Sequence, residues 1–135
     1  MKIQEFIEQV QKRAHLASKV EAERATRAAL ETLAECITRD ERVDAAAQLP
    51  RGLALYLEQP NLGGVNQPAP SPKRISTLDE FYQRMSLREG VPPETAREHA
   101  RAVMSVLVEA LSKGEFEDIR AQLPIEFYYE FFEGK

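Results

Sequence analysis

Seven glutamates on helix-forming stretches (Glu21, Glu23, Glu31, Glu35, Glu94, Glu98 and Glu109) raise the question of a carboxylate metal centre. Di-iron centres in helical bundles use inward-facing Glu with a Glu-x-x-His pair from each of two helices. Lys12 stands three residues before His15, and Ala96 three before His99, so neither histidine completes that pattern. The glutamates read instead as solvated faces, some of them in first turns where the helix dipole favours negative charge. No metal and no cofactor is expected. His15 and His99 are the only histidines, and a general base needs a nucleophile, an orienting group and a pocket together. No Gly-x-Ser-x-Gly, His-x-x-Glu, Walker loop or Gly-x-Gly-x-x-Gly occurs. Both histidines read as surface or rim residues, and no catalytic residue is expected. Cys36, the single cysteine, excludes an internal disulfide and a Cys-based zinc site, and on an apolar stripe it reads as a small buried residue.

Three other features carry recognisable chemistry. Arg27 and Arg101 lie beside alanines at equivalent places in a sequence repeat, as do Asp44 and Asp118. The arginines could form an anion-binding pair, or each could bridge to its aspartate and hold two helices together. Ala-Gln-Leu-Pro occurs twice, at 47–50 and 121–124, where Leu-Pro is sufficient to end a helix and start a turn. Finally, Phe127, Tyr128, Tyr129, Phe131 and Phe132 place five of ten aromatics within six residues. Five rings at about 150–250 Å² each could bury about 750–1,250 Å². A monomer's largest exposed apolar patch is only about 300–600 Å², so these rings cannot all face water. Either they fill the core, or one arc faces it while the other meets a second chain or a partner.

The elements that position these residues follow from the repeat. Between Thr26 and Pro50, 10 of 25 positions are identical to those 74 residues later; Phe6 meets Phe81 at an offset of 75. In the first copy Ile3, Phe6, Ile7, Val10 and Ala14 form one helical stripe, and Ala22, Ala25, Ala29 and Leu33 a second. Ser18-x-x-Glu21, Thr38-x-x-Glu41, Thr77-x-x-Glu80 and Ser112-x-x-Glu115 are capping boxes. Pro50 ends one short helix and opens another over 51–58. Pro92-Pro93 opens the long helix of the second copy, and no period-two run marks a strand. The fold class expected is all-α, a bundle of two tandem modules, each of about three helices plus a short fourth, with pseudo-twofold symmetry. Residues 1–58 form the first module and 76–135 the second; 59–75, with four prolines and Gly63-Gly64, form a linker.

The 135 residues carry Lys+Arg 18 against Asp+Glu 22, a net charge of −4. That balance argues against nucleic-acid binding, which needs a basic face to displace counterions. No apolar stretch approaches the roughly 18 residues of a membrane span. A cytoplasmic location is therefore expected.

The run from Glu21 to Leu33, the doubled Ala-Gln-Leu-Pro and Glu98-His99-Ala100-Arg101-Ala102-Val103 resemble the prokaryotic family called domain of unknown function 2267. The resemblance spans about 3–58 and 77–132. It implies an all-helical prokaryotic protein of two tandem modules, and it implies no activity. The expected function is that of a non-enzymatic protein-binding or scaffolding module that self-associates or binds a protein partner. The alternative is a small-molecule or anion-binding regulator using the seam between modules near Arg27 and Arg101.

Overall fold

The computed structural model describes residues 1–60, 67–69 and 73–133, and these are all-helical. Eight helices run in order: α1 (Ile3–Arg13), α2 (Lys19–Ala34), α3 (Arg39–Ala46), α4 (Arg51–Glu58), α5 (Leu78–Glu89), α6 (Pro93–Ala110), α7 (Lys113–Gln122) and α8 (Ile125–Phe131). Gly63-Gly64, Pro70 and Pro72 of the expected linker lie outside the described residues.

Local chemistry sets the helix ends. Ser18, Thr38, Thr77 and Ser112 each accept a hydrogen bond from the N–H three residues on, as the capping boxes predict. Pro93 occupies the first turn of α6, and Pro50 and Pro124 are the N-caps of α4 and α8, where no N–H is needed. The C-terminus of α1 closes differently: Leu16 N–H reaches Gln11 O and His15 N–H reaches Lys12 O, a Schellman motif. It puts His15 in the left-handed region at φ 54°, where a Cβ is disfavoured. Its repeat counterpart at the end of α5 is Gly90, at φ 77°.

The two longest helices, α2 and α6, pack on each other at the centre; α1 and α5 each bridge both of them. The helix α4 lies on α2 and α3, α8 lies on α6, and α3 meets α7. Ala22, Ala25, Ala28 and Ala29 are buried along α2, and small side chains let neighbouring helices approach closely. Phe6, Phe81, Phe127 and Phe132 are fully buried. Phe81 is the hub of the aromatic cluster, edge-on to Phe127 at 6.0 Å and tilted against Phe131 at 5.3 Å. No helix among the described residues is long and apolar enough to cross a membrane.

Candidate functional site

Three polar arrangements interrupt the apolar bundle, and each joins residues far apart in sequence. The first is a buried ion-pair network between α2 and α5. Arg84 grips Glu35 with two bonds, Nε to Oε1 at 3.0 Å and Nη2 to Oε2 at 2.7 Å. Arg88 reaches Glu35 Oε1 at 2.6 Å, Thr32 Oγ1 at 2.9 Å and Glu31 Oε1 at 4.0 Å. Segment 67–69 lies over this network. Gln67 donates to both oxygens of Glu31 at 3.2 and 3.3 Å and accepts from Arg88 Nε at 2.9 Å, while Ala69 O accepts from Arg84 at 2.8 Å. Burial pushes the Glu31 carboxyl up, and the Gln67 amide, Arg27 and Arg88 oppose that shift. At the end of the linker, Ile75 N–H donates to Glu35 O at 2.9 Å.

The repeat places the same pair once more, uncovered. Arg13 and Glu109, counterparts of Arg88 and Glu35, pair at 2.8 Å with side chains 28% and 49% exposed; Arg88 and Glu35 are 1% and 9% exposed. Ser105, in the place of Glu31, accepts from Arg13 Nη1 at 3.1 Å. Here lies an open groove of about 670 Å³, lined by Arg13, His15, Arg101, Ser105, Tyr129 and Glu130 among others. No described segment of the chain crosses it as 67–69 crosses its counterpart.

The third arrangement is the α3–α7 seam. Gln48 Oε1 accepts from the Ser112 N–H at 2.8 Å, and its amide donates to Ser112 Oγ at 3.1 Å. Gln122 treats Thr38 alike, at 2.8 and 3.3 Å. In a capping box the third-position glutamate would take that N–H. With the glutamines in that place, Glu41 and Glu115 turn toward each other. One oxygen each of Glu41, Glu115 and Asp118 lie within 4.8 Å of one another. Glu41 is 6% exposed, and burial, the Glu115 carboxyl and the charges of Asp118 and Asp44 push its carboxyl up to about 8.

These placements correct several expectations. Arg27 pairs with Glu31 at 3.5 Å and stands over the Tyr56 ring at 5.3 Å; Arg101 pairs with Glu130 at 3.7 Å. The bridges run along α2 and from α6 to α8 in place of Asp44 and Asp118, whose charges act on Glu41 at the other seam. His99 is buried, not a rim residue: its Nδ1 bonds Glu89 Oε2, and this bond raises its pKa against the opposing effect of burial. His15 is exposed as expected, and Cys36 is buried, its thiol pushed up by desolvation. Of the aromatic run, Phe127, Phe131 and Phe132 belong to the core. Tyr128 is half-buried under Arg120, whose guanidinium lies 5.1 Å from the ring centre, and Tyr129 is 58% exposed on the rim of the open groove. Neither the groove nor the acidic seam is visible in the sequence, although the repeated Gln48 and Gln122 were a signal that both copies need the same polar contact.

A search of curated proteins finds no match to this chain. The profile of the family described as an uncharacterized conserved protein, DUF2267, matches residues 3–129, which takes in all the helices up to the aromatic run and every residue of the three arrangements except Glu130, Phe131 and Glu133 of the groove. The chain belongs to the DUF2267 family.

Proposed function

We propose that this chain is a non-enzymatic protein-binding module whose open groove, between α1, α6 and α8, receives an extended segment of a partner chain or of a second copy. One observation carries the reading: the repeat-equivalent surface already holds a non-helical segment, residues 67–69, through the counterparts of Arg13 and Ser105. His15 adds support. Its backbone conformation suits glycine, which the counterpart Gly90 supplies, yet a histidine stands there with its side chain on the groove. Ser105 favours binding over catalysis. Its hydroxyl donates to Ala102 O at 2.7 Å and accepts from an arginine, which is no activation of a nucleophile. A prokaryotic cytoplasm fits a chain whose single cysteine is a buried thiol.

The probe is a labelled peptide with the sequence of residues 61–75, titrated with the full chain by fluorescence anisotropy beside a scrambled peptide. Saturable binding that is lost in Arg13→Ser and weakened in His15→Gly is expected. His15→Gly relieves the left-handed strain and raises stability by about 0.5–1 kcal/mol, so weaker binding there is not unfolding. No saturation by about 1 mM, or equal binding by Arg13→Ser, overturns the reading.

A second reading rests on Arg13, Arg101 and His15, which line the groove together with Glu98, Glu130 and Glu133: a small molecule with an anionic group as ligand. A saturable thermal shift with inorganic phosphate, abolished in Arg13→Ser, without peptide binding, would select it.

A further inference from the structure

We propose that Glu41, Glu115 and Asp118 bind a hard divalent cation across the α3–α7 seam, with Ca²⁺ the best fit. Glu41 Oε1 and Glu115 Oε2 are buried acceptors with no hydrogen-bond donor, and the Glu41 side chain, in a residue 6% exposed, points into the cluster. Buried acceptors that face only one another need something electropositive between them. The charged groups that act most on Glu41 are all carboxylates, namely Glu115, Asp118 and Asp44. One shared proton would leave three of these four charges uncompensated, whereas a dication offsets two at once.

The ligand chemistry selects the ion. An all-carboxylate set suits Ca²⁺, Mg²⁺ or Mn²⁺ over softer metals. Three oxygens within 4.8 Å of one another can face a single ion, and Ca²⁺, which takes more oxygen ligands in a looser geometry than the strictly octahedral Mg²⁺, fits the arrangement with less adjustment. Asp118 is exposed, which leaves the outer side of the ion to water, and such partly hydrated sites fall in the weak range of Ca²⁺ affinities. The glutamines make the site possible. By taking the Thr38 and Ser112 N–H groups they relieve Glu41 and Glu115 of the helix-capping role that would otherwise hold the carboxylates apart. The ion would join the N-terminal turn of α3 to that of α7, a crosslink independent of the groove.

The test is isothermal titration of the metal-stripped full chain with CaCl₂, then MgCl₂, in two buffers of different ionisation enthalpy, with thermal melts alongside. Ca²⁺ is expected to bind once per chain and to raise the melting temperature. Asp118→Asn, at an exposed position, should melt at or slightly above wild type without metal, because it removes a charge that repels Glu41, yet bind Ca²⁺ about tenfold or more weakly. Glu41→Gln, which removes the charge of the most buried ligand, should bind Ca²⁺ more weakly than wild type. No heat and no melting shift up to about 10 mM of either ion, beyond the weakest protein Ca²⁺ sites, overturns the proposal. So does an equal shift in wild type and Asp118→Asn.

Discussion

Gln48 and Ser112, 64 residues apart, are joined by two hydrogen bonds that make the side chain of one helix end the cap of another. The amide presents its acceptor to the backbone N–H and its donor to the hydroxyl, a pairing that fixes its orientation and requires both halves of the amide. Gln122 and Thr38 repeat it in the opposite sense. The twice-written Ala-Gln-Leu-Pro is thus a reciprocal clamp as well as a helix stop.

Removing either clamp should leave an N-terminal N–H without its partner. Gln48→Ala and Gln122→Ala are each expected to cost about 1–2 kcal/mol, and Gln48→Glu nearly as much, since a carboxylate cannot donate to Ser112 Oγ. Urea unfolding of the three variants checks this, and wild-type stability in Gln48→Ala would show the bonds to be energetically idle.

The repeated arginine offers an internal control on burial. Arg88→Leu removes the cation shared by Glu35 and Glu31, leaving Glu35 to Arg84 alone and Glu31 to Gln67 and Arg27, and should cost up to about 3–5 kcal/mol. Arg13→Leu removes the same pair where water already screens it and should cost about 1 kcal/mol or less. Comparable losses in the two variants would mean that the covering segment contributes nothing to the difference.

Glu41 and His99 both make stability fall as pH rises, in the same sense as the raised Glu31 carboxyl. Glu41 keeps its proton to about pH 8 in the folded chain, whereas an unfolded glutamate loses it near 4.5. The folded state therefore binds more protons between those values, and stability declines across that window. Glu41→Gln supplies the proton permanently and should flatten the decline, with its largest gain over wild type at pH 8 and above. His99, its pKa raised by Glu89, contributes stability that is full below its ordinary 6.5 and is lost as pH rises through its folded value. His99→Gln should remove that second component alone. Melting curves from pH 5 to 9 separate them, and parallel profiles for wild type and Glu41→Gln would disprove the assignment to Glu41.

The helices were legible because their signals are local. Ser18, Thr38, Thr77 and Ser112 announce starts, prolines announce stops, and apolar spacing gives the inward faces. The core role of Phe127, Phe131 and Phe132 was one of two readings left open, because a wide apolar arc does not say which side meets the bundle. The polar contacts were not legible. A repeat shows that Arg27 corresponds to Arg101, but not that the first lies against Glu31 and the second against Glu130. Nor does a capping box show that a glutamine from the far half of the chain will displace its glutamate. His99 looked peripheral because its partner Glu89 sits ten residues away, across the left-handed turn at Gly90.

Segment 67–69 makes the Arg88–Glu35 pair dry only while it stays in place. When it lifts, both charges meet water still bonded to each other, as Arg13 and Glu109 already do. Peeling it away therefore rehydrates a finished ion pair and leaves no lone charge in an apolar wall. Amide exchange at Ile75, whose N–H is held by Glu35 O, is the place to measure how often this edge of the network loosens.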